Sequence, residues 1–267
     1  MKLIWPYNPN LYFCLIIALS LMVHLELYAQ EGTKKFEAGA WYGLVFSNGD
    51  TDHGLRRTEL KYQPNSRNLL FAFYDNALIL ENKFLASMES TAPIVGVGIK
   101  HDWNEKWFSK IDLGYRFLSL EDDQQLYSLE NVYFISDKSL VKLITQFDVR
   151  QNDDLLTLGL FFEQLILRNT RLEIGFFHSE NLTLPDTYNE RIMLSGKVLL
   201  SKSELLLGTY YDILNTESVS ISQYGGAYGI FVFPISDNLK GKLFANYNQG
   251  FFVDEVMIFS LGADLKF

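Results

Sequence analysis

Hydrophobic and polar residues alternate along most of this chain beyond residue 30, in segments of about ten residues separated by a few polar or turn-forming ones. Successive side chains of an extended strand point to opposite faces. Each segment therefore predicts a strand with one apolar and one polar face. Neither a helical stripe nor a low-complexity linker interrupts the series, so the pattern predicts a single all-β domain.

The alternation is clearest in the last strand. One face of this strand carries Phe259, Leu261, Ala263, Leu265 and Phe267. The residues between them are small or polar, so the other face is polar. We expect this strand to close the sheet by pairing with the first strand, near residues 36–46.

The segments predict about fourteen strands, with twelve as the alternative because the first boundaries can be drawn in more than one way. The connections alternate between short turns (64–67, 104–106, 136–138, 168–170, 201–203 and 235–238) and generally longer loops (including 48–54, 76–91, 181–189 and 249–252). Short turns at one rim and longer loops at the other are typical of an antiparallel up-and-down transmembrane β-barrel, with the short-turn rim in the periplasm.

Two segments need a separate interpretation. The segment Asn76–Thr91 is apolar for a loop, and we expect it to extend two strands above the membrane; an inward plug and a partner contact are the alternatives. The pair Gly225 and Gly226 lies inside a predicted strand, where it favours a bulge or a bend in the barrel wall.

The N-terminal residues predict a secretory leader. Lys2 precedes an apolar run over 11–23, and Leu27, Tyr28 and Ala29 fit a signal-peptidase site. The run is shorter than the roughly 20 residues of a spanning helix, so a retained anchor is the weaker alternative. We expect a signal peptide over 1–29 and an outer-membrane barrel over 30–267.

Cysteine content and charge argue against several classes of protein. The one cysteine, Cys14, lies within the predicted leader, so a mature chain would have no thiol chemistry, disulfide or cysteine-based metal site. The formal net charge of −9 argues against a nucleic-acid partner, which needs a basic face. Because no nucleotide, dinucleotide or zinc motif is present, we expect no cofactor and no metal.

Charges of both signs recur on the polar faces of the predicted strands. In a membrane barrel they have to point into the lumen, because a lysine or arginine facing lipid at mid-depth costs about 2–4 kcal/mol. Their mixed signs permit pairing across neighbouring strands, which would narrow the lumen. The predicted lumen charges are Arg57, Glu59, Lys61, Lys110, Asp112, Arg116, Lys142, Asp148, Asp264 and Lys266.

Aromatic residues concentrate near the ends of the predicted strands. They include Trp41, Tyr42, Trp103, Trp107, Tyr133, Phe134, Tyr210 and Tyr211. Amphipathic rings are favoured at the level of the lipid headgroups. We therefore expect two aromatic belts, one at each membrane interface.

Taken together, the leader, the alternating segments and the terminal aromatic resemble the Gram-negative outer-membrane β-barrels. In that class the terminal aromatic and the alternating residues before it are the signal read by the barrel-assembly machinery. The resemblance implies this role for Phe259, Leu261, Ala263, Leu265 and Phe267. It also implies outer-membrane lipid and lipopolysaccharide as the surroundings of the chain.

Three short stretches are similar to those of YaiO-type outer-membrane proteins. They are residues 56–59 (Arg-Arg-Thr-Glu), 73–76 (Phe-Tyr-Asp-Asn) and the strand over 107–117. Such proteins have no catalytic motif to carry over, so this resemblance implies a location and no reaction.

Two histidines are candidates for chemistry. His178 and Ser179 have the residue types of a barrel hydrolase or acyltransferase, and they lie just before a predicted external loop. A general base must come within about 3 Å of its nucleophile, whereas neighbouring strand residues point to opposite faces, so these two cannot pair simply. His53, near Asp50 and Asp52, is a possible cation ligand, but flanking glycines favour a solvated loop.

We therefore expect a non-enzymatic, integral outer-membrane barrel. Its lumen would lie in size between the filled eight-stranded barrels and the open sixteen-stranded porins. A narrow polar channel, or a scaffold closed by its own charges, fits this size, with a small solute or a polysaccharide as the transported or exported cargo. The alternatives are a barrel enzyme acting on lipid or lipopolysaccharide and a soluble, secreted β-sandwich that binds a ligand.

Overall fold

The computed structural model describes residues 35–47, 50–75, 94–116, 124–149, 154–184, 187–216, 219–249 and 256–267. The strands are β1 (Lys35–Ser47), β2 (Asp50–Gln63), β3 (Asn68–Asp75), β4 (Ile94–Asn104), β5 (Trp107–Arg116), β6 (Gln124–Ser136), β7 (Ser139–Val149), β8 (Leu155–Leu167), β9 (Thr170–Asn181), β10 (Tyr188–Leu200), β11 (Ser203–Thr216), β12 (Val219–Pro234), β13 (Leu239–Gln249) and β14 (Val256–Lys266). In these parts of the chain no helix is long and apolar enough to cross a membrane.

The strands form one closed antiparallel barrel in which each strand pairs with its neighbours in the sequence. β14 closes the barrel by pairing with β1, from Glu37 opposite Lys266 to Ser47 opposite Val256. Closure leaves no unpaired strand edge. A sheet can span a membrane only in this way, because unpaired backbone N–H and C=O groups are costly in lipid. The predicted barrel, its count of fourteen strands and the pairing of the last strand with the first are confirmed. The soluble sandwich is wrong.

The short connections lie together at one rim, as predicted. Two-residue turns occupy 105–106, 137–138, 168–169 and 201–202, and four-residue turns occupy 64–67 and 235–238. In the turn at 201–202, Ser201 has a φ of 54°, the left-handed conformation found in the turn types that two-residue hairpins favour. Lys35 and Phe267 lie at the same rim, where the Phe267 N–H donates to the carbonyl of Phe36 at 2.9 Å.

The predicted loop over 48–54 is mostly strand, because β2 begins at Asp50. Residues 50–54 pair with the end of β1, from Ser47 opposite Asp50 to Gly43 opposite Gly54. These backbone partners outweigh the local turn preference of the glycines and acids. The register shifts beside Trp41 and Tyr42, which face Arg57 and Leu55, so the intervening residue is the extra one of a β-bulge.

The predicted bulge at Gly225 and Gly226 is also wrong. Both residues keep a regular register with β11 and β13. The Tyr210 side chain occupies the space in which a Cβ of Gly226 would stand. Gly226 therefore makes room for a ring.

Alternation assigns the two faces of each strand. In β14, Phe259 and Leu261 are exposed on the outer surface, whereas Ile258, Ser260 and Asp264 are buried on the inner face. The same parity gives the outer surface many exposed leucine, isoleucine and aromatic side chains. This surface suits a hydrocarbon environment.

Some predictions fall outside the described residues. They are the leader over 1–29, the segment Asn76–Thr91 and residues 250–252 of the predicted loop over 249–252. The side chain of His53 also lies outside them, although its backbone belongs to β2.

Candidate functional site on the inner face of the barrel

The predicted lumen charges lie on inward-facing positions of their strands. Asp112, Arg116, Lys142, Asp148 and Asp264 are buried, and the other five are more exposed. Lys266, at the short-turn rim, is the most exposed of the ten, and its ammonium group lies 3.6 Å from a carboxylate oxygen of Glu37. Both signs of charge therefore share the interior.

One sector of the inner face is a charged wall, defined by Arg57, Glu59 and Lys61 on β2, Asp75 on β3 and Lys110 on β5. The Lys61 Nζ lies 2.8 Å from Glu59 Oε2. The Arg57 guanidinium is shared, with Nη1 at 3.5 Å from Asp75 Oδ2 and Nη2 at 3.7 Å from Glu59 Oε1. All five side chains are partly exposed, so water reaches this sector.

Two ion pairs on other strands are more buried than those of the charged wall. Arg191 on β10 donates from Nε and Nη2 to the two carboxylate oxygens of Asp212 on β11, at 2.6 and 2.7 Å. Lys142 on β7 donates to Glu173 on β9 at 3.0 Å, across the width of β8. Bidentate and charge-assisted bonds of this kind fix side chains in place.

Apolar side chains also face inward, which the sequence analysis missed. They form a cluster on β1 and β7–β14, here called the aromatic wall. Its members are Trp41, Ile144, Phe161, Phe177, Met193, Tyr210, Tyr228, Ile230, Phe244 and Ile258. Because these residues are buried against one another, this side of the barrel interior is filled with packed side chains.

Glycines on neighbouring strands let the rings of this wall lie flat. The Phe161 ring on β8 lies over Gly175 on β9, and the Phe177 ring on β9 lies over Gly159 on β8. A Cβ at either glycine would overlap the ring. The same arrangement places Tyr228 over Gly208, Tyr210 over Gly226 and Trp41 over Gly262. Covering a strand glycine with an aromatic ring protects its backbone and stabilises the pairing.

Cations cover several of these rings from the lumen side. Lys142, Arg191 and Lys242 lie 4.8, 4.3 and 5.0 Å from the ring centroids of Phe161, Tyr210 and Trp41. Each of these cations also contacts a carboxylate, which is Glu173, Asp212 or Asp264 respectively. The wall is therefore layered from glycine to ring to cation, and cation–π contact holds the outer layers together.

The sequence contains a signal for this layering. In β8 and β9 the inward positions read Gly159 and Phe161, and Gly175 and Phe177. A glycine two residues from an aromatic ring on the same face, repeated on the next strand, indicates reciprocal covering. Recognising it requires the register between the strands, which pairs Gly159 with Phe177 and Phe161 with Gly175.

Part of the predicted aromatic belts is wrong. Trp41 and Tyr210 belong to the aromatic wall, and Phe134 also faces inward by the parity of β6. Trp103 and Trp107 do lie on the outer surface beside the short-turn rim, where they stack with centroids 5.3 Å apart. Trp103 Nε1 donates to the hydroxyl of Ser109 at 2.9 Å, so the indole satisfies its polar group at the interface.

The strand parity separates His178 from Ser179. His178 faces outward, with Nδ1 3.7 Å from a Glu190 carboxylate oxygen. Ser179 faces inward, and its hydroxyl lies 2.5 Å from that of Thr157. Within the described ranges no group of three or more histidine, cysteine, aspartate and glutamate side chains is placed to hold a metal ion.

Of the residues assigned to assembly, Phe259, Leu261, Ala263 and Leu265 are exposed on the outer face of β14. Phe267 follows the strand and is the most exposed of the large hydrophobic residues that the structure describes. Their role as an assembly signal stays a prediction.

A closed antiparallel barrel with an apolar outer surface and a charged interior is the architecture of the Gram-negative outer-membrane β-barrels, and this chain has that fold. The fold and the outer surface support a location in the bacterial outer membrane.

Solved structures of this class share the fold of the chain and resemble it weakly in sequence. A bacterial polysaccharide outer membrane secretin has a TM-score of 0.60 at 9% identity, with 88% of this chain and 98% of the other covered. The monoaromatic hydrocarbon channel CymD has 0.59 at 9%, covering 94% and 93%. A loop-deletion mutant of OmpT, an outer membrane protein of Vibrio cholerae, has 0.53 at 13%, covering 89% and 100%.

No family model and no curated protein sequence matches the chain. The resemblance to YaiO-type proteins therefore stays a prediction.

Proposed function

We propose that this protein is a non-enzymatic outer-membrane channel that passes a small polar solute or an extended polysaccharide through a narrow lumen. The observation that carries the proposal is the water-accessible charged wall inside a closed barrel. Charged side chains at mid-height of a barrel cost free energy unless they are paired or solvated. The partial exposure of Arg57 and Glu59, six and four residues from the short-turn end of β2, is therefore a feature to be expected of a hydrated passage.

The polarity of the passage supports a polar cargo. Lysine, arginine, aspartate and glutamate side chains of both signs border the lumen along β2, β3 and β5, so neither a strongly cationic nor a strongly anionic solute is favoured. Similar folds include a hydrocarbon channel and a polysaccharide secretin. The same architecture therefore accommodates very different cargo. The mixed charges of this inner face favour a polar, hydroxyl-rich cargo such as a polysaccharide.

The proposal includes a route to the membrane. Residues 1–29 are removed on export, the barrel-assembly machinery recognises the strand that ends at Phe267, and the outer surface contacts lipid and lipopolysaccharide. Fractionation followed by N-terminal sequencing tests this route. A chain that keeps its first residues in the outer-membrane fraction would contradict cleavage.

Conductance of the purified protein in planar bilayers tests the channel. We expect small, stable steps from a protein whose band shifts on boiling in detergent, since a closed barrel resists unfolding until heated. A heat-modifiable protein that gives a silent bilayer would contradict the channel and support the second candidate, a scaffold. The burial of the aromatic wall is the observation that favours the scaffold.

The enzyme alternative has weaker support. His178 and Ser179 point to opposite faces of β9, and Ser179 is buried beside Thr157. A lipase or deacylase activity that disappears in His178→Ala would nevertheless establish it.

A further inference from the structure

We infer that the narrowest part of the passage is a belt of buried polar side chains toward the long-loop rim, and that this belt selects uncharged, hydroxyl-rich solutes. The inference rests on the channel function proposed above. It names the residues that decide what passes, and it places the wide, hydrated end of the lumen at the short-turn rim.

Inward charged side chains near the short-turn rim are exposed on both sides of the barrel. Lys100 and Lys110, on β4 and β5, are 31% and 30% exposed, and Lys197 and Glu204, on β10 and β11, are 38% and 37% exposed. Each lies within four residues of the short-turn end of its strand. Less exposed charges at this height belong to the two ion pairs that cover rings of the aromatic wall, Lys142 with Glu173 and Lys242 with Asp264. Water therefore reaches opposite sides of the lumen at this end.

Polar side chains farther from that rim are buried, again on both sides. Ten of them, seven or more residues from the short-turn end of their strands, are each 5% exposed or less, and this set is here called the polar belt. Asp75 and Ser128, at a similar distance, are partly exposed, so the belt is narrow and not sealed. Six members of the belt are uncharged, namely Gln124, Gln146, Thr157, Ser179, Asn189 and Asn246.

The polar belt has no net charge. Its four charged members, two of each sign, are Arg116, Asp148, Arg191 and Asp212. Arg191 binds both carboxylate oxygens of Asp212, so each charge of this pair is neutralised by the other. A charged solute would lose water in the belt without gaining a fixed counter-charge, which costs free energy. An uncharged solute avoids this cost.

Two uncharged members of the belt carry buried polar atoms that bond to no described residue. They are Nε2 and Oε1 of Gln124, which is 0% exposed, and Oδ1 of Asn246, which is 4% exposed. A buried polar group without a partner costs about 1–3 kcal/mol. Hydroxyl groups of a passing sugar can donate and accept hydrogen bonds at these atoms. Gln124 and Asn246 are therefore the residues best placed to recognise such a solute.

Cysteine labelling tests the two heights independently of conduction. Lys197→Cys and Asn189→Cys lie three and eleven residues from the short-turn end of β10. Lys110→Cys on β5 and Gln124→Cys on β6, at three and twelve residues, repeat the comparison on the other side of the barrel. All are made in a Cys14→Ser background, since Cys14 is the only cysteine of the chain.

We expect a charged methanethiosulfonate reagent to modify the folded lysine-position variants severalfold faster than the folded Asn189→Cys and Gln124→Cys variants, as measured by mass. All four should react alike after denaturation. Equal rates at the two heights, on either side of the barrel, would overturn the belt.

Sugar entry into liposomes tests the role of the belt in selection. The unmodified protein should admit a neutral disaccharide faster than a sugar acid of the same size, and Gln124→Ala/Asn246→Ala should lower this ratio severalfold. The control Lys197→Ala/Glu204→Ala also removes two side chains without changing the net charge, but at the hydrated end, and should keep the ratio. If the control lowers the ratio as much, or if the unmodified protein prefers the sugar acid, the inference fails and the channel stands.

A silent bilayer from the unmodified protein and both double variants, each with a heat-modifiable band, would remove the channel, and with it the selection of cargo by the belt. Should Gln124→Ala/Asn246→Ala fail to fold, Gln124→Ala alone and the labelling pairs still decide, because the Gln124 amide bonds to no described residue.

Discussion

The charged wall and the aromatic wall share one construction but differ in what surrounds it. On the charged wall, Lys110 lies 4.8 Å from the centroid of the Phe71 ring, and that ring covers Gly98. On the aromatic wall, Lys142 lies at the same distance from the Phe161 ring, which covers Gly175. The unit of glycine, ring and cation is therefore common to both sides of the barrel.

Both rings are buried, and the two units differ in the exposure of the cation, which is 30% for Lys110 and 10% for Lys142. The neighbours of each unit account for this difference. Around Phe161 they are further rings, such as Phe177 at a centroid distance of 4.9 Å in an edge-on arrangement. Near Lys110 they include Asp112 and the side chains of Glu59 and Arg57. Rings from adjacent strands exclude water by packing, whereas ion pairs keep part of their hydration. The inner face of this barrel therefore has two different environments and not one uniform polar lining.

The largest expected difference between the walls is the cost of removing an arginine. Arg191→Ala leaves Asp212 buried without its bidentate partner and should cost about 3–5 kcal/mol of unfolding free energy. Arg57→Ala leaves two carboxylates that water already reaches and should cost about 1 kcal/mol or less. Guanidinium titrations of the barrel in detergent, followed by tryptophan fluorescence, measure both.

The double variant Arg191→Met/Asp212→Leu is the control, because replacing a buried pair by apolar residues removes the uncompensated charge. It should recover most of the loss. Similar costs for the two single arginine variants would show that the walls do not differ in hydration.

The next effect concerns the outer face of the barrel. If this face were not the one in contact with lipid, the two walls would not lie inside the barrel. Leu261→Arg places a charge five residues before Lys266, the end of β14, and should cost about 2–4 kcal/mol at mid-depth, whereas Leu265→Arg, one residue before that end, should cost about 0–1 kcal/mol near the interface. Refolding into lipid vesicles, read from the heat-modifiable band, measures this difference. Equal tolerance would contradict the assignment of this face to lipid.

An inward position of the same strand is a poor control for this test. A charged side chain at Gly262 would not simply enter the lumen, because the Trp41 ring occupies the space next to its Cα. Outer positions at two depths are therefore the better pair.

The fold could be predicted from the sequence because it depends on the two-residue period of hydrophobic and polar positions. The alternation from Phe259 to Phe267 fixes which side chains of β14 share a face, and the turn residues at 201–202 and 235–238 fix where strands end. The prediction of a loop over 48–54 was wrong because residues 50–54 form a strand by pairing with β1. The local turn preference of these residues gives no information about that pairing.

The inner site was predicted only in part. Parity was enough to place Asp264 and Lys142 on inward faces. It would also have placed Trp41 inside, since this residue shares a face with Glu37 and Gly39. Interpreting an aromatic residue by its nearness to a strand end, and not by its parity, produced that error.

The partners inside the barrel depend on register and strand tilt. Lys142 and Glu173 are 31 residues apart and belong to strands separated by β8, yet they bond at 3.0 Å. A single sequence gives no register between distant strands, so neither this pair nor its position over Phe161 follows from alternation. The layering of the aromatic wall is a property of the closed sheet.

The smallest expected effect tests that layering directly. Gly175→Ala puts a Cβ where the Phe161 ring lies, and the ring has to move into a packed interior, which should cost about 1–3 kcal/mol. Gly196→Ala, on β10, places its Cβ 3.5 Å from a methyl carbon of Leu172, an ordinary contact, and should change stability by no more than about 0.5 kcal/mol. The same titrations measure both. If Gly175→Ala is as neutral as its control, the rings are not held against the glycines, and the dryness of the aromatic wall needs another cause.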